Sequence, residues 1–259
     1  MKRLPGAASY FVPAEASATV EAVGEVRDYL AERGAAAVRG LDRGTGATVV
    51  RKLSTHSFRQ KAKIEATRFL APRSKRQLRD VVDSGGPVRL HLGSGGHPLE
   101  GWVNIDVIGM EPDVYWDLRR PLPLADGSAD AVFLEHVIEH FRLADDLDLL
   151  DECNRLLKPG GIIRLGVPDF GRYLQSYASD GEFIERLRPG RPTRLLAVSE
   201  VALNHGHRSV WDGETLVAVL EECGFVDARR RDYGDSDLEP APDSPKREPE
   251  SVYAEARKP

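Results

Sequence analysis

At 259 residues the chain has room for one α/β domain with an appendage, or for two small domains. Its 41% hydrophobic and 30% charged residues exclude a disordered chain, and a net charge of −5 argues against a general nucleic-acid or membrane binder. No run of 18 apolar residues occurs and the opening "MKRLPGAASYFVPAEAS" lacks a signal-peptide core, so a cytoplasmic address without a membrane span is expected.

Residues 1–85 read as an N-terminal extension. "TVEAVGEVRDYLAERG" sets Val20, Val23, Val26 and Leu30 along one helical face and stops at Gly34, and two β-prone runs then flank a glycine-rich turn in "AAAVRGLDRGTGATVVRKL". A helix is expected over residues 55–83, with Phe58, Ala62, Ala66 and Phe69 on its apolar side and an interruption at Pro72. Residues 51–80 carry ten Lys or Arg against Glu65 and Asp80, a solvated face or an anion-binding or partner-docking surface inside an otherwise acidic chain. The apolar stripe is too narrow for a core of its own, so this segment is expected to dock on the domain that follows.

From residue 86 strands and helices alternate, the pattern of a Rossmann-like, mostly parallel α/β sheet with helices on both faces. Seven strands are expected near 88–92, 102–107, 112–116, 130–134, 161–167, 225–232 and 251–256. "LADDLDLLDECNRLL" and "DGETLVAVLEECGF" read as amphipathic helices, the second opening on an Asp212 cap and closing on Gly224. Cys153 and Cys223 fall in these helices without a Cys or His at ligand spacing, so reduced, buried thiols are expected. Residues 169–210 form a long insertion after the fifth strand, and insertions of that length usually carry function.

The stretch "VRLHLGSGGHPLEGWVNIDV", residues 88–107, is a strand that breaks into Gly93, Ser94, Gly95 and Gly96 and becomes a strand again, closing on Asp106. Missing Cβ atoms let backbone amides approach a nucleotide or nucleoside. A dinucleotide fingerprint is disfavoured, because Pro98 stands where its third glycine belongs and Asp106 follows Gly95 by only eleven residues rather than about twenty.

In order after that turn come "WDLRRPLPLADGSADAVFLEHVIEHF" and "LLKPGGIIRLGVPDF". Together these motifs resemble the class I S-adenosylmethionine-dependent methyltransferases, in particular the type 11 group and its short bacterial relatives with a "GxxPLEGWxNxD" segment. The resemblance covers residues 86–259 and implies S-adenosylmethionine as cofactor and S-adenosylhomocysteine as product. It places the turn Gly93, Ser94, Gly95 and Gly96 against the methionine portion, Asp106 on the ribose hydroxyls, Asp117 and Leu118 at the adenine, and Glu135 and His136 near the methionine end. The chain departs from the family pattern at His91, where an acidic residue is usual, and at His97, where a third glycine is usual.

Methyl transfer to a hydroxyl needs alignment and a base, and bases must sit beyond the carboxyl ends of the fourth and fifth strands. The catalytic candidates are His140, Asp169, His205 and His207. Tyr173, Asn204, Arg208 and Trp211 are candidates for holding the substrate, with "NHGHR" read as part of a lid. The spacing of His136 and His140 in "EHVIEH" suits a metal, but the resembled family carries this motif without requiring one, so no metal is expected. The expected acceptor is a small molecule or a glycan, methylated at O or N, and a homodimer is admitted. The competing readings are an RNA methyltransferase using the basic segment 51–80, disfavoured by its scarcity of stacking aromatics, and a cofactor-fold partner protein without catalysis.

Overall fold

The computed structural model describes residues 56–107 and 112–259. The helix, hairpin and domain expectations for residues 1–55 lie outside the described residues.

The first described element is a helix, α1 (His56–Asp83), followed by β1 (Arg89–Leu92), β2 (Val103–Asp106), β3 (Val114–Tyr115) and β4 (Ala129–Glu135). Then come α2 (Leu143–Leu156), β5 (Leu157–Pro168), α3 (Phe170–Ala178), α4 (Glu182–Leu187), α5 (Arg194–Leu203), α6 (Gly213–Glu222), β6 (Val226–Arg231) and β7 (Ser251–Arg257). All seven expected strands form, and they join into one sheet of order β3-β2-β1-β4-β5-β7-β6. The first five strands pair in parallel, while β7 runs antiparallel between β5 and β6.

The parallel strands are buried on both faces, one apolar throughout and the other mixing apolar side chains with buried polar ones such as His91, Asn104 and Arg164. Leu90, Leu92, Val132, Leu134, Ile163 and Leu165 point into the main core, where they meet Leu149, Leu150 and Cys153 of α2 and Leu216 and Leu220 of α6. Both cysteines are buried free thiols. The alternate residues Ala131 and Phe133 face the opposite way and form a smaller cluster with Trp102 and Leu238. Among the described residues this second face is thus closed by side chains from connections, including Leu99 and Trp102 of the short β1–β2 link.

α1 passes through Pro72 as one continuous helix of 28 residues, so the interruption expected there does not occur. The face it presents also differs from expectation. Phe69 is 87% exposed, whereas Thr67, Ser74 and Leu78 are buried and Ala71, Val81 and Val82 pack against the core. The docking face is offset from the expected stripe by one residue, about 100° around a helix. Its register is set by polar contacts to the sheet edge: Ser74 Oγ donates to the Tyr115 carbonyl at 2.9 Å and Gln77 Nε2 to the Asp113 carbonyl at 3.0 Å. Ser74→Ala is expected to cost about 1 kcal/mol in urea unfolding, because it leaves a part-buried carbonyl without its donor. An unchanged midpoint would show that this contact does not hold the helix.

The insertion 169–210 is helical and carries a core of its own, in which Tyr173, Phe183, Ile184, Ala197, Val198 and Val201 pack together. Asp169 and Thr193 cap α3 and α5, accepting from the Arg172 and Leu196 N–H groups at 3.0 and 3.3 Å. At α6 the Asp212 cap and the positive-φ Gly224 stand where the sequence places them.

Candidate active site

The strand order reverses between β1 and β4, and open α/β sheets bind their ligands beyond the carboxyl ends of strands at such a point. A cavity of about 660 Å³ opens there.

Its floor is the glycine turn. Gly93 and Ser94 donate backbone N–H groups to the Ile105 carbonyl at 2.8 and 3.2 Å, which ties the turn to β2. Gly93 has φ +75°, and a Cβ there would lie 2.4 Å from Val137 Cγ2. Gly95 has φ +54°, and open space lies beside both it and Gly96. Packing therefore demands the first glycine, and backbone conformation with ligand approach the next two. Gly93→Ala is expected to lower stability by about 1 to 2 kcal/mol, read as a fall in melting temperature. Ser94 is buried in the cavity wall and its Oγ has no hydrogen-bond partner, so the turn offers an unused polar atom to whatever fills the space.

Asp106 closes β2 on the cavity and accepts the Gly95 N–H at Oδ2, 2.7 Å. The carboxylate thereby holds the turn while retaining acceptor capacity for a ligand. Leu118 lines the cavity, and so does Asp117, whose carboxylate is held bidentately by Arg119 at 2.9 and 2.7 Å. Burial disfavours the charged form of Asp117, but the Arg119 guanidinium and backbone N–H outweigh it and keep the carboxyl below its usual range. The Arg119 side chain is half exposed, so this ion pair is open to water on one side.

At the end of β4, Glu135 accepts from the Ser244 N–H at 3.0 Å, the Ser244 hydroxyl and the Tyr253 hydroxyl at 2.9 Å. It lines the cavity, yet these partners come from β7 and the segment before it, which nothing in the sequence connects with the site. His136 takes φ 55°, an uncommon conformation for a non-glycine residue, anchored by its N–H on the Gly166 carbonyl at 2.8 Å. Its Nε2 lies 2.8 Å from Ser251 Oγ. Burial lowers its pKa to about 2, which makes the ring neutral.

Beyond His136 a turn of 3₁₀ helix, Ile138–His140, carries His140 into the cavity, where it meets the "NHGHR" segment. The Glu139 carbonyl accepts the Arg208 N–H at 2.7 Å and fastens that segment in place. The His140 and His207 rings lie 5.0 Å apart, the His205 and His207 rings 6.0 Å apart. His205, with φ 62°, and Arg208 also line the cavity. Burial lowers the pKa of His140 to about 4 and also lowers that of His207, so both imidazoles are neutral near pH 7. His91, the departure in the first strand, lines the cavity too, with Nδ1 3.1 Å from Asn104 Oδ1 and its pKa lowered by burial to about 4.

Four expected site residues stand outside the cavity lining. Asp169 is the cap of α3. Tyr173 is buried within the core of the insertion. Trp211 belongs to the main core, its Nε1 donating to Ser209 Oγ at 2.8 Å, and Asn204 lies at the end of α5. Conversely, Arg119, Asp145 and Arg247 line the cavity without having been singled out.

Residues 114–165, from β3 into β5, match the family described as "Methyltransferase domain". The fold around it is a Rossmann-like, mostly parallel seven-stranded α/β sheet, and the matched stretch runs through its third to fifth strands. The matched stretch is 52 of the 259 residues and ends short of the insertion, so it says nothing of the acceptor. Among solved structures, a methyltransferase from Archaeoglobus fulgidus is 17% identical with a TM-score of 0.43, covering 79% of this chain and 100% of its own. One from Thermotoga maritima, described as a possible histamine N-methyltransferase, is 19% identical with a TM-score of 0.40, covering 78% and 95%. One from Mesorhizobium loti is 17% identical with a TM-score of 0.40, covering 69% and 96%. No curated protein sequence matches the chain.

Proposed function

We propose that the protein transfers a methyl group from S-adenosylmethionine to a small-molecule or glycan-type acceptor, at oxygen or nitrogen. The observation that carries the reading is the floor of the cavity: an unpartnered, buried Ser94 Oγ, two glycines facing open space and the Asp106 carboxylate, all at the reversal of strand order. These groups fit the cofactor. Gly95 and Gly96 let the methionine portion approach, Asp106 accepts from the ribose hydroxyls, and Asp117 with Leu118 holds the adenine. When bound, the sulfonium supplies an electrophilic methyl group.

At the opposite wall the chain supplies the acceptor's surroundings. His140, His205 and His207 bring imidazoles together, two of them held neutral, and Arg208 and Arg247 add guanidiniums suited to an anionic group. A neutral imidazole accepts the acceptor's proton as the new bond forms, and the helical insertion contributes the residues that choose the acceptor. No described residue of the basic α1 lines this cavity, which favours a small acceptor over RNA.

Calorimetric titration with S-adenosylmethionine and S-adenosylhomocysteine tests the cofactor, and transfer of labelled methyl from S-adenosylmethionine into fractionated cell extract tests the acceptor. Absence of binding would refute the reading outright. His205→Ala is expected to lower turnover at least about tenfold, or 1.4 kcal/mol in the barrier, while cofactor affinity stays nearly intact. A fall in melting temperature with unchanged turnover would instead make His205 a pin of the insertion.

A further inference from the structure

We infer that Glu139, His140 and His207 form a binding site for a divalent transition-metal ion of the zinc type at the acceptor end of the cavity. One ligand atom from each lies within 4.8 Å of those of the other two, the one such group of His, Cys, Asp and Glu among the described residues. A tetrahedral ion with ligands at about 2.1 Å sets them roughly 3.4 Å apart, so side-chain rotations of about an ångström complete the shell.

The decisive member is Glu139. The residue is 1% exposed, and neither carboxylate oxygen has a hydrogen-bond partner. A buried carboxylate in that state is costly unless a cation meets it. The adjacent His136 Nδ1 lies 3.4 Å from Glu139 Oε1 without forming a hydrogen bond to it. A cation between Glu139, His140 and His207 supplies the partner that the carboxylate lacks.

His207 is prepared for the same partner. Its Nδ1 donates to the Val201 carbonyl at 2.6 Å, which directs the lone pair to Nε2. Ligating histidines are oriented in this way, one ring nitrogen on a backbone carbonyl and the other on the metal. The His140 ring lies 5.0 Å from that of His207. Two imidazoles and one carboxylate suit zinc, cobalt(II) or nickel(II) rather than calcium or magnesium. Three protein ligands leave a fourth position open, and His140 and His207 direct it into the cavity. On the methyl-transfer reading, that position takes the acceptor's oxygen and leaves His205 as the imidazole available for its proton.

Metal binding is measurable without any methyl acceptor, so its failure and that of methyl transfer are separable. The untagged full chain, stripped with chelator, is titrated with Zn²⁺ by calorimetry and with Co²⁺ by visible absorption. One ion per chain is expected, with the intense ligand-field bands of tetrahedral cobalt and a rise in melting temperature as Zn²⁺ is added. Glu139→Gln and His207→Ala should each weaken Zn²⁺ more than about a hundredfold, beyond what loss of a supporting hydrogen bond does. His97→Ala, on the far side of the cavity, should not. Circular dichroism shows whether the Glu139 variant folds, and His207→Ala carries the test if it does not. Absence of a saturable site, or equal affinity in His207→Ala, overturns the proposal.

Discussion

Arg164→Met is expected to lower the free energy of unfolding by about 3 to 5 kcal/mol, the largest effect of any single substitution considered. Arg164 sits in β5 with no exposed surface. Its Nε and Nη2 reach the two Asp243 carboxylate oxygens at 2.6 and 2.5 Å, and Nη1 and Nη2 donate to the Asp235 and Asp232 carbonyls at 2.8 and 3.1 Å. Glu255 of β7 lies on the same guanidinium at 3.3 Å. Methionine keeps much of the volume but leaves the buried Asp243 carboxylate without its cation, with the Gly234 N–H still donating to it, and strips the donor from two carbonyls, while Glu255 keeps Arg231, Ser236 and the Asp237 N–H. Urea unfolding reads the loss as a lower midpoint. Since the same segment presents Ser244 to Glu135, cofactor binding should weaken in parallel. A midpoint within error of the parent would mean that the segment is held by something other than this arginine.

Asp106→Ala is expected to weaken S-adenosylmethionine and S-adenosylhomocysteine by about 1.5 to 3 kcal/mol, roughly tenfold to 150-fold in Kd. The side chain accepts the Gly95 N–H and faces the cavity, where the proposed function assigns it to the ribose, so on that reading its loss removes both a ligand acceptor and a brace for the turn. Asp106→Asn separates the two. An amide oxygen can keep the Gly95 contact but offers less to two hydroxyls, so turn stability should return while affinity does not. Calorimetry with unchanged Kd in both variants would remove Asp106 from the cofactor site.

The sheet was legible because each strand carries its own signal: short β-prone apolar runs bounded by glycine, proline or polar turns. The glycine turn was legible for a related reason, since backbone freedom is written into residue type. What escaped depends on contacts between distant parts of the chain. "DYGDSDLEPAPDSPKREPE" carries no motif that ties it to the site, yet Arg164 gathers it against the sheet. Asp169, Tyr173 and Trp211 have the right chemistry in the right loop, and were drawn into capping and packing instead. Phe69 suggested the wrong side of α1 because an amphipathic pattern cannot say which stripe meets a sheet edge offering the Tyr115 and Asp113 carbonyls. Glu139 and His207 are 68 positions apart, and nothing short of the fold reveals that one buried carboxylate and a remote imidazole share a space.

β7 lies inside β6 in the sheet although it follows β6 in the chain, which fixes an order of events during translation. When β5 leaves the ribosome its outer edge is a row of unpaired amides and carbonyls, the kind of edge that recruits strands from other chains. That edge stays open until Ser251–Arg257 is made and inserted. Glu135 and His136 meanwhile wait for Ser244, Ser251 and Tyr253, so the wall of the cavity is unfinished for as long as the edge is. A ligand of this cavity therefore meets the complete wall only in molecules whose sheet has already closed.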